Sequence, residues 1–384
     1  MSARLTRIGL ALLAAFLIAG ALVVGRESGL VRRSADFTIF YAAAQLVRDG
    51  HPQAVYQPER LGPLMLSLSA GAIDPRLPFD APLALLVPLL PLTLLPLEAA
   101  FHLWQLLTLG MLALAILLLQ RWMPLGGRPG VLALAVLAGF PATWALLSEG
   151  QVSGLLLLGA ALLTGAWVTG SARLGFAGGL LLALKPQYLP AYLILIAARR
   201  QWRALAGALL GGVAVALSPL LAGGVDGLRA MITSALAAGH GWLGSNESLA
   251  GTLAPLLPGH AGIVVAFVVW SVSLGWLAVI AARSRGSNPI GVLATTMAVL
   301  LSPHALPYDL VLLAVPAWLA SSLHRSGAIA NPAPAYGLVA LALAIDLGRP
   351  LLSLVPLVML AALGWYGRDL WIRRRRPPAV SAAA

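Results

Sequence analysis

An all-α, polytopic membrane protein is the fold class this sequence predicts, and three features predict it. Of the 384 residues, 60% are hydrophobic and only 10% are charged, whereas a soluble domain carries roughly 25% charged residues. The apolar residues fall in runs, several of which reach the roughly 20 residues a helix needs to cross the hydrocarbon core. The charges lie mostly between those runs, in short arginine clusters that read as anchors against anionic lipid. At this spacing the chain has room for roughly ten to twelve transmembrane helices.

Taken in order, the apolar runs are 7–25, 81–97, 99–120, 129–147, 151–169, 174–198, 203–222, 261–282, 288–302, 306–321, 331–346 and 350–367. Arg4 and Arg7 precede the first run, and no small-x-small cleavage site follows it at 21–29, so a retained helix with a cytoplasmic N-terminus is expected. Pro82, Pro88, Pro91 and Pro96 make 81–97 a broken or partial span. Lys185-Pro186 divides 174–198 into two pieces too short to cross. A pair of short helices meeting at Lys185 is expected there, because irregular backbone at membrane depth is tolerated only where it is buried in protein or lines a cavity. Counting back from the basic cluster Arg373 to Arg376 puts the C-terminus in the cytoplasm and puts 26–80, 223–260 and Ser302–Asp309 outside. The expected organisation is one integral-membrane domain over 1–370. It carries a large first outer loop at 26–80 and a second at 223–260, and a basic, disordered cytoplasmic tail at 371–384 follows.

Composition also excludes functions. The net charge of +12 lacks the aromatic interleaving that base stacking needs, so membrane lipid and not nucleic acid is the expected partner. Without a single cysteine there are no disulfides, no thiolate metal sites and no cysteine catalysis. Phosphate-binding glycine loops, His-Glu-x-x-His and Gly-x-Ser-x-Gly are missing. The 40 glycines fit close packing between spans.

On the expected topology one face collects Asp36, Tyr41, Asp80, Glu149-Gly150-Gln151, Lys185-Pro186-Gln187, His304, Tyr308 and Asp309. Ionisable groups in or beside membrane segments mark functional sites by default. Each also has a structural reading. Asp36 suits a helix cap, Lys185 suits snorkelling to headgroups, and His304 suits a hydrogen bond within a broken helix. Gln151 and Gln187 suit helix–helix bonding, Asp80 a helix start, and Tyr41 and Tyr308 an interfacial belt. Asp36, at the mouth of the first apolar run, is placed as a membrane-embedded transferase would place a base. A transporter or lipid flippase is the alternative, although the internal symmetry expected of one is not visible.

Several motifs in order resemble glycosyltransferase family 87 of the GT-C superfamily. They are Asp36-Phe37-x-x-Phe40-Tyr41, Gly50-x-Pro52-x-x-x-Tyr56, Pro91-Leu-x-Leu-Leu-Pro96 with Trp104, Glu149-Gly-Gln151-Val-Ser153, Lys185-Pro-Gln187, and Ser302-Pro-His304-x-x-x-Tyr308-Asp309. The chain departs from the pattern at Phe79-Asp80-Ala81-Pro82, where a Tyr-Pro-Pro-type run is commoner. The resemblance implies inverting transfer of a hexose, most commonly mannose, from a polyprenyl-phosphate sugar to a glycolipid or glycan acceptor. The reaction is expected at the outer face of the plasma membrane, with Asp36 as general base. Lys185 and His304, with Arg32 or Arg33, are the candidates to hold the donor phosphate. Tyr41, Asp80, Gln151, Gln187, Tyr308 and Asp309 complete the expected donor site. No cofactor is expected, and this chemistry does not require a metal.

Overall fold

A computed structural model describes residues 35–125, 140–238, 257, 261–284 and 288–327. The expected spans 7–25, 331–346 and 350–367, the tail, Arg32 and Arg33 lie outside the described residues. Within them every regular element is helical and there is no strand.

Helix α1 (Ala35–Arg48) and α2 (Pro58–Leu68) occupy the stretch expected as the first polar loop. A 3-10 segment, Leu83–Leu94, follows. Pro88 and Pro91 within it lack the N–H groups that an α-helix would use, and it packs along α1. Two bonds lock that contact: the Tyr41 hydroxyl donates to the Leu95 carbonyl at 2.7 Å and Arg48 donates to the Thr93 carbonyl at 2.6 Å. Next come α3 (Leu97–Trp122), α4 (Pro141–Glu149), α5 (Ser153–Thr169) and α6 (Ala172–Leu182). A 3-10 turn, Pro186–Tyr188, leads into α7 (Leu189–Ala198). The remainder is α8 (Trp202–Leu217), α9 (Gly224–Ala238), α10 (Ala261–Arg283), α11 (Asn288–Leu300), a 3-10 segment Pro307–Leu313, and α12 (Ala314–Arg325).

Among the described residues three helical stretches are long and apolar enough to cross a membrane: Leu97–Trp122, Trp202–Ala222 and Val264–Arg283. The chain is a membrane protein. The 26 residues of α3 span about 39 Å at 1.5 Å per residue, more than the hydrocarbon core requires.

Small residues set the packing. Gly175 and Gly179 of α6 lie directly against the backbone of Ala204 and Ala208 of α8, and Gly207 and Gly211 of α8 return the contact against Ala172 and Phe176. Gly178 of α6 meets Gly159 of α5 in the same way. Lipid supplies no hydrophobic drive between helices, so close backbone approach through small-xxx-small faces is what binds them. The broken segment is thereby held from two sides, which fixes where α6 ends and Lys185 begins.

The helices run between two ends. At one end lie the starts of α1, α3 and α5 with the ends of α4, α6 and α11. At the other, Trp318 donates to the Met123 carbonyl, Ser322 to the Pro124 carbonyl, and Arg199 to the Trp167 carbonyl and the Asn288 side chain.

Candidate active site

The first end of the bundle gathers residues far apart in sequence. Asp36 lies in the first turn of α1. It is aimed by its neighbour Phe37, which is fully buried and meets Phe101 edge-on at 5.2 Å. Phe37 also presses on Gly150, where an added Cβ would lie 2.6 Å from the Phe37 Cβ and 2.9 Å from the Phe101 ring. Gly150 ends α4 in the left-handed region, at φ +61°, where glycine avoids the strain other residues meet. Trp104 donates to its carbonyl at 2.8 Å. The turn after α4 therefore lies against the start of α1, and Gln151 reaches Asp36.

That contact is the first half of the site. Gln151 Nε2 donates to Asp36 Oδ2 at 2.8 Å. The Val152 N–H donates back to Gln151 Oε1 at 3.2 Å, which fixes the amide with its NH2 group toward the carboxylate. Burial pushes the Asp36 carboxyl up, while the Gln151 bond and the Lys185 charge oppose that rise.

The second half centres on Lys185. A residue before proline is forced out of the helical region, and Lys185, ahead of Pro186, sits at φ −126°, ψ 90°. The helix breaks there, and the side chain turns to Asp309. Lys185 Nζ donates to both Asp309 oxygens, at 2.9 and 2.8 Å. Asp309 is fully buried, and its carboxylate also accepts from Ser153 Oγ at 2.6 Å, the Tyr188 hydroxyl at 2.9 Å and the Leu306 N–H at 3.2 Å. Every lone pair has a donor. Asp309 is thus a seat for Lys185, while the Lys185 side chain keeps 16% of its surface exposed and one of its three N–H groups outside the Asp309 bonds. Its ammonium lies 4.6 Å from the centroid of the Tyr308 ring.

His304 is set between Pro303 and Pro307 by its backbone. Its carbonyl accepts from Gln187 Nε2 at 3.1 Å and from Ser302 Oγ, with the Tyr188 oxygen, whose proton goes to Asp309, 3.3 Å away. Burial, reinforced by Lys185, pushes its imidazole down to about 4, so the ring is neutral at pH 7. It is a hydrogen-bonding group here, with no charge to offer an anion. Asp80, half-buried, feels both Lys185 and Asp36, and burial pushes it up to about 6. Glu149, beside the Gly150 turn, is pushed up to about 7 by burial and then by the Asp36 charge.

Of the expected site residues, Asp36, Asp80, Gln151, Lys185, His304, Tyr308 and Asp309 lie close enough to interact through hydrogen bonds or charge. Gln187 supports the group through the His304 backbone. Tyr41 stands apart, its hydroxyl tying α1 to Leu95. Ser153 and Tyr188 were not among the expected site residues. Tyr188 directly follows Lys185-Pro186-Gln187, and a hydroxyl in a helix break is the one sequence signal that pointed to it. Among the described residues no three His, Asp or Glu side chains come together as metal ligands would.

A family model described as glycosyltransferase family 87 matches residues 81–316, well over half of the chain. No curated protein and no solved structure matches it.

Proposed function

Because the chain belongs to glycosyltransferase family 87, we propose that it moves a neutral hexose, mannose by family association, from a polyprenyl-phosphate sugar to a glycolipid or glycan acceptor. In this reading an acceptor hydroxyl attacks the anomeric carbon from the face opposite the phosphate. Asp36 takes the hydroxyl proton, the new C–O bond forms as the bond to phosphate breaks, and the configuration inverts. General-base assistance of this kind is worth roughly 10²–10⁴ in rate. A carboxyl pushed up by burial is a stronger base than one in water, and Gln151 keeps it oriented. The departing phosphate needs no proton from the protein. It needs donors for its charge, which the remaining Lys185 N–H and the His304 ring supply.

The observation that carries this reading is the Asp36–Gln151 pair within reach of the charge of a lysine that Asp309 holds in place. A single, largely buried ammonium with one N–H left over suits a phosphodiester with a single negative charge better than a diphosphate.

The charges of the two ends support a site on the outer face. Asp36, Asp80, Glu149 and Asp309 gather at one end, whose outer segments also carry Arg48, Arg60, Arg76 and Arg229, while Arg121, Arg173, Arg199, Arg203, Arg283 and Arg325 lie at helix termini of the other. Arginine excess marks cytoplasmic ends. The charge asymmetry bears on orientation alone; a plasma-membrane location and a single integral-membrane domain are part of the same proposal, by family association. The test is transfer from labelled polyprenyl-phosphate mannose by the purified protein in vesicles, with the anomeric configuration of the product determined. Inverted product supports the reading; retained configuration, or transfer only from nucleotide sugars, contradicts it.

A further inference from the structure

Asp80 lies in a turn that is fixed on both sides while its own carboxylate is left open. On one side the Phe79 carbonyl accepts from Ser234 Oγ at 2.9 Å, and on the other the Ala81 carbonyl accepts from the Tyr56 hydroxyl at 3.1 Å. Phe79 itself is 1% exposed. It meets Phe40 edge-on at 6.4 Å and Tyr56 at 5.7 Å. Further along, Ser218 Oγ accepts from the Ala84 N–H at 2.9 Å. Four separate parts of the chain thus immobilise this short turn.

The turn does not use Asp80 as a cap. The 3-10 segment beginning at Leu83 is capped by Pro82, with no side-chain bond. Among the described residues the Asp80 carboxylate makes no ion pair, and its one hydrogen bond is to its own backbone. A half-buried carboxylate in a fixed turn, with its own backbone N–H as its one donor, keeps lone pairs open for hydroxyls, since an ionised carboxylate offers about four lone-pair sites. Phosphate is excluded as its partner by like charge.

Its position selects which hydroxyls. Asp80 follows Phe79, whose ring meets Phe40 one helical turn along α1 from Asp36, and it lies within charge range of both Lys185 and Asp36. In the reaction proposed above, on which this inference rests, Lys185 faces the leaving phosphate and Asp36 faces the attacking hydroxyl. The body between them is the sugar being transferred. We infer that Asp80 accepts hydrogen bonds from neighbouring hydroxyls of that sugar and sets which sugar is accepted, admitting neutral sugars with a free vicinal diol and rejecting uronic acids.

The test compares transfer from polyprenyl-phosphate mannose and from its 2-, 3- and 4-monodeoxy analogues by the wild-type protein, Asp80→Asn and Asp80→Ala. Binding of unglycosylated polyprenyl phosphate serves as the check that each variant keeps a folded phosphate site. A site built to bond a hydroxyl discriminates strongly against the analogue lacking it. The wild type should therefore prefer mannose over one or two of the deoxy donors by about tenfold or more. Both variants should lose that preference while binding unglycosylated polyprenyl phosphate as before. Preference retained in both variants, or polyprenyl phosphate binding lost in both, overturns the role of Asp80 and leaves the transferase reading standing. A wild-type protein that transfers from no polyprenyl-phosphate mannose overturns the donor reading and this inference together.

Discussion

Gln151 and Asp36 meet across 115 positions of sequence, and the consequence is measurable one residue at a time. The Gln151 amide stabilises the ionised carboxylate, so removing it raises the Asp36 pKa and requires a higher pH for the proposed base to be free. Gln151→Leu is expected to lower kcat by about 10- to 100-fold, the worth of a hydrogen bond to a charged group. It should also move the acid limb of the pH–rate profile to higher pH. Rates measured from pH 5 to 9 check this, and an unmoved limb would detach Gln151 from the base. The participants were legible in the sequence as ionisable and amide residues beside apolar runs. Which amide serves which acid was not, because partners so far apart leave no local period. Tyr41 shows the same limit from the other side: its residue type suits a site or a membrane belt, and only the bond to Leu95 reveals a tether.

At the level of elements, the break at Lys185-Pro186 was readable because proline acts on its immediate neighbour. The short helices α6 and α7 meet there as the sequence suggests. The partner of Lys185 was not readable, since Asp309 lies 124 positions away in another proline-broken segment. The Lys185–Asp309 pair is buried, and losing one partner of such a pair costs about 3–5 kcal/mol, whereas a well-packed apolar replacement of both is often neutral. Thermal unfolding in detergent should therefore show Lys185→Met and Asp309→Leu strongly destabilised singly, with only part of the Asp309→Leu loss recovered in the double variant, because Ser153, Tyr188 and the Leu306 N–H still lack their acceptor. Transfer should stay absent in all three. A double variant that is active would remove Lys185 from the chemistry.

Over the whole molecule, the membrane class followed from composition, and three long apolar helices agree with it. The stretch expected as a polar loop from residue 26 to 80 turns out to hold α1 and α2 where it is described. The apolar face of α1 packs on the proline-rich segment and α2 packs on α1, a choice made by tertiary contact that hydropathy does not encode. The proposed orientation is open to a direct check because the chain has no cysteine. Ser148 and Arg200 are both exposed and lie at opposite ends of the helices. With a membrane-impermeant maleimide on intact cells, Ser148→Cys should label and Arg200→Cys should label only after permeabilisation. The reverse pattern would turn the protein over.

Asp36→Asn offers the most direct measurement, because the carboxylate becomes an amide of the same shape and Gln151 keeps a partner. In vesicles with labelled polyprenyl-phosphate mannose, transfer should fall by about 10²–10⁴-fold, with unchanged thermal unfolding and unchanged donor binding. Turnover at the wild-type rate would contradict Asp36 as the base.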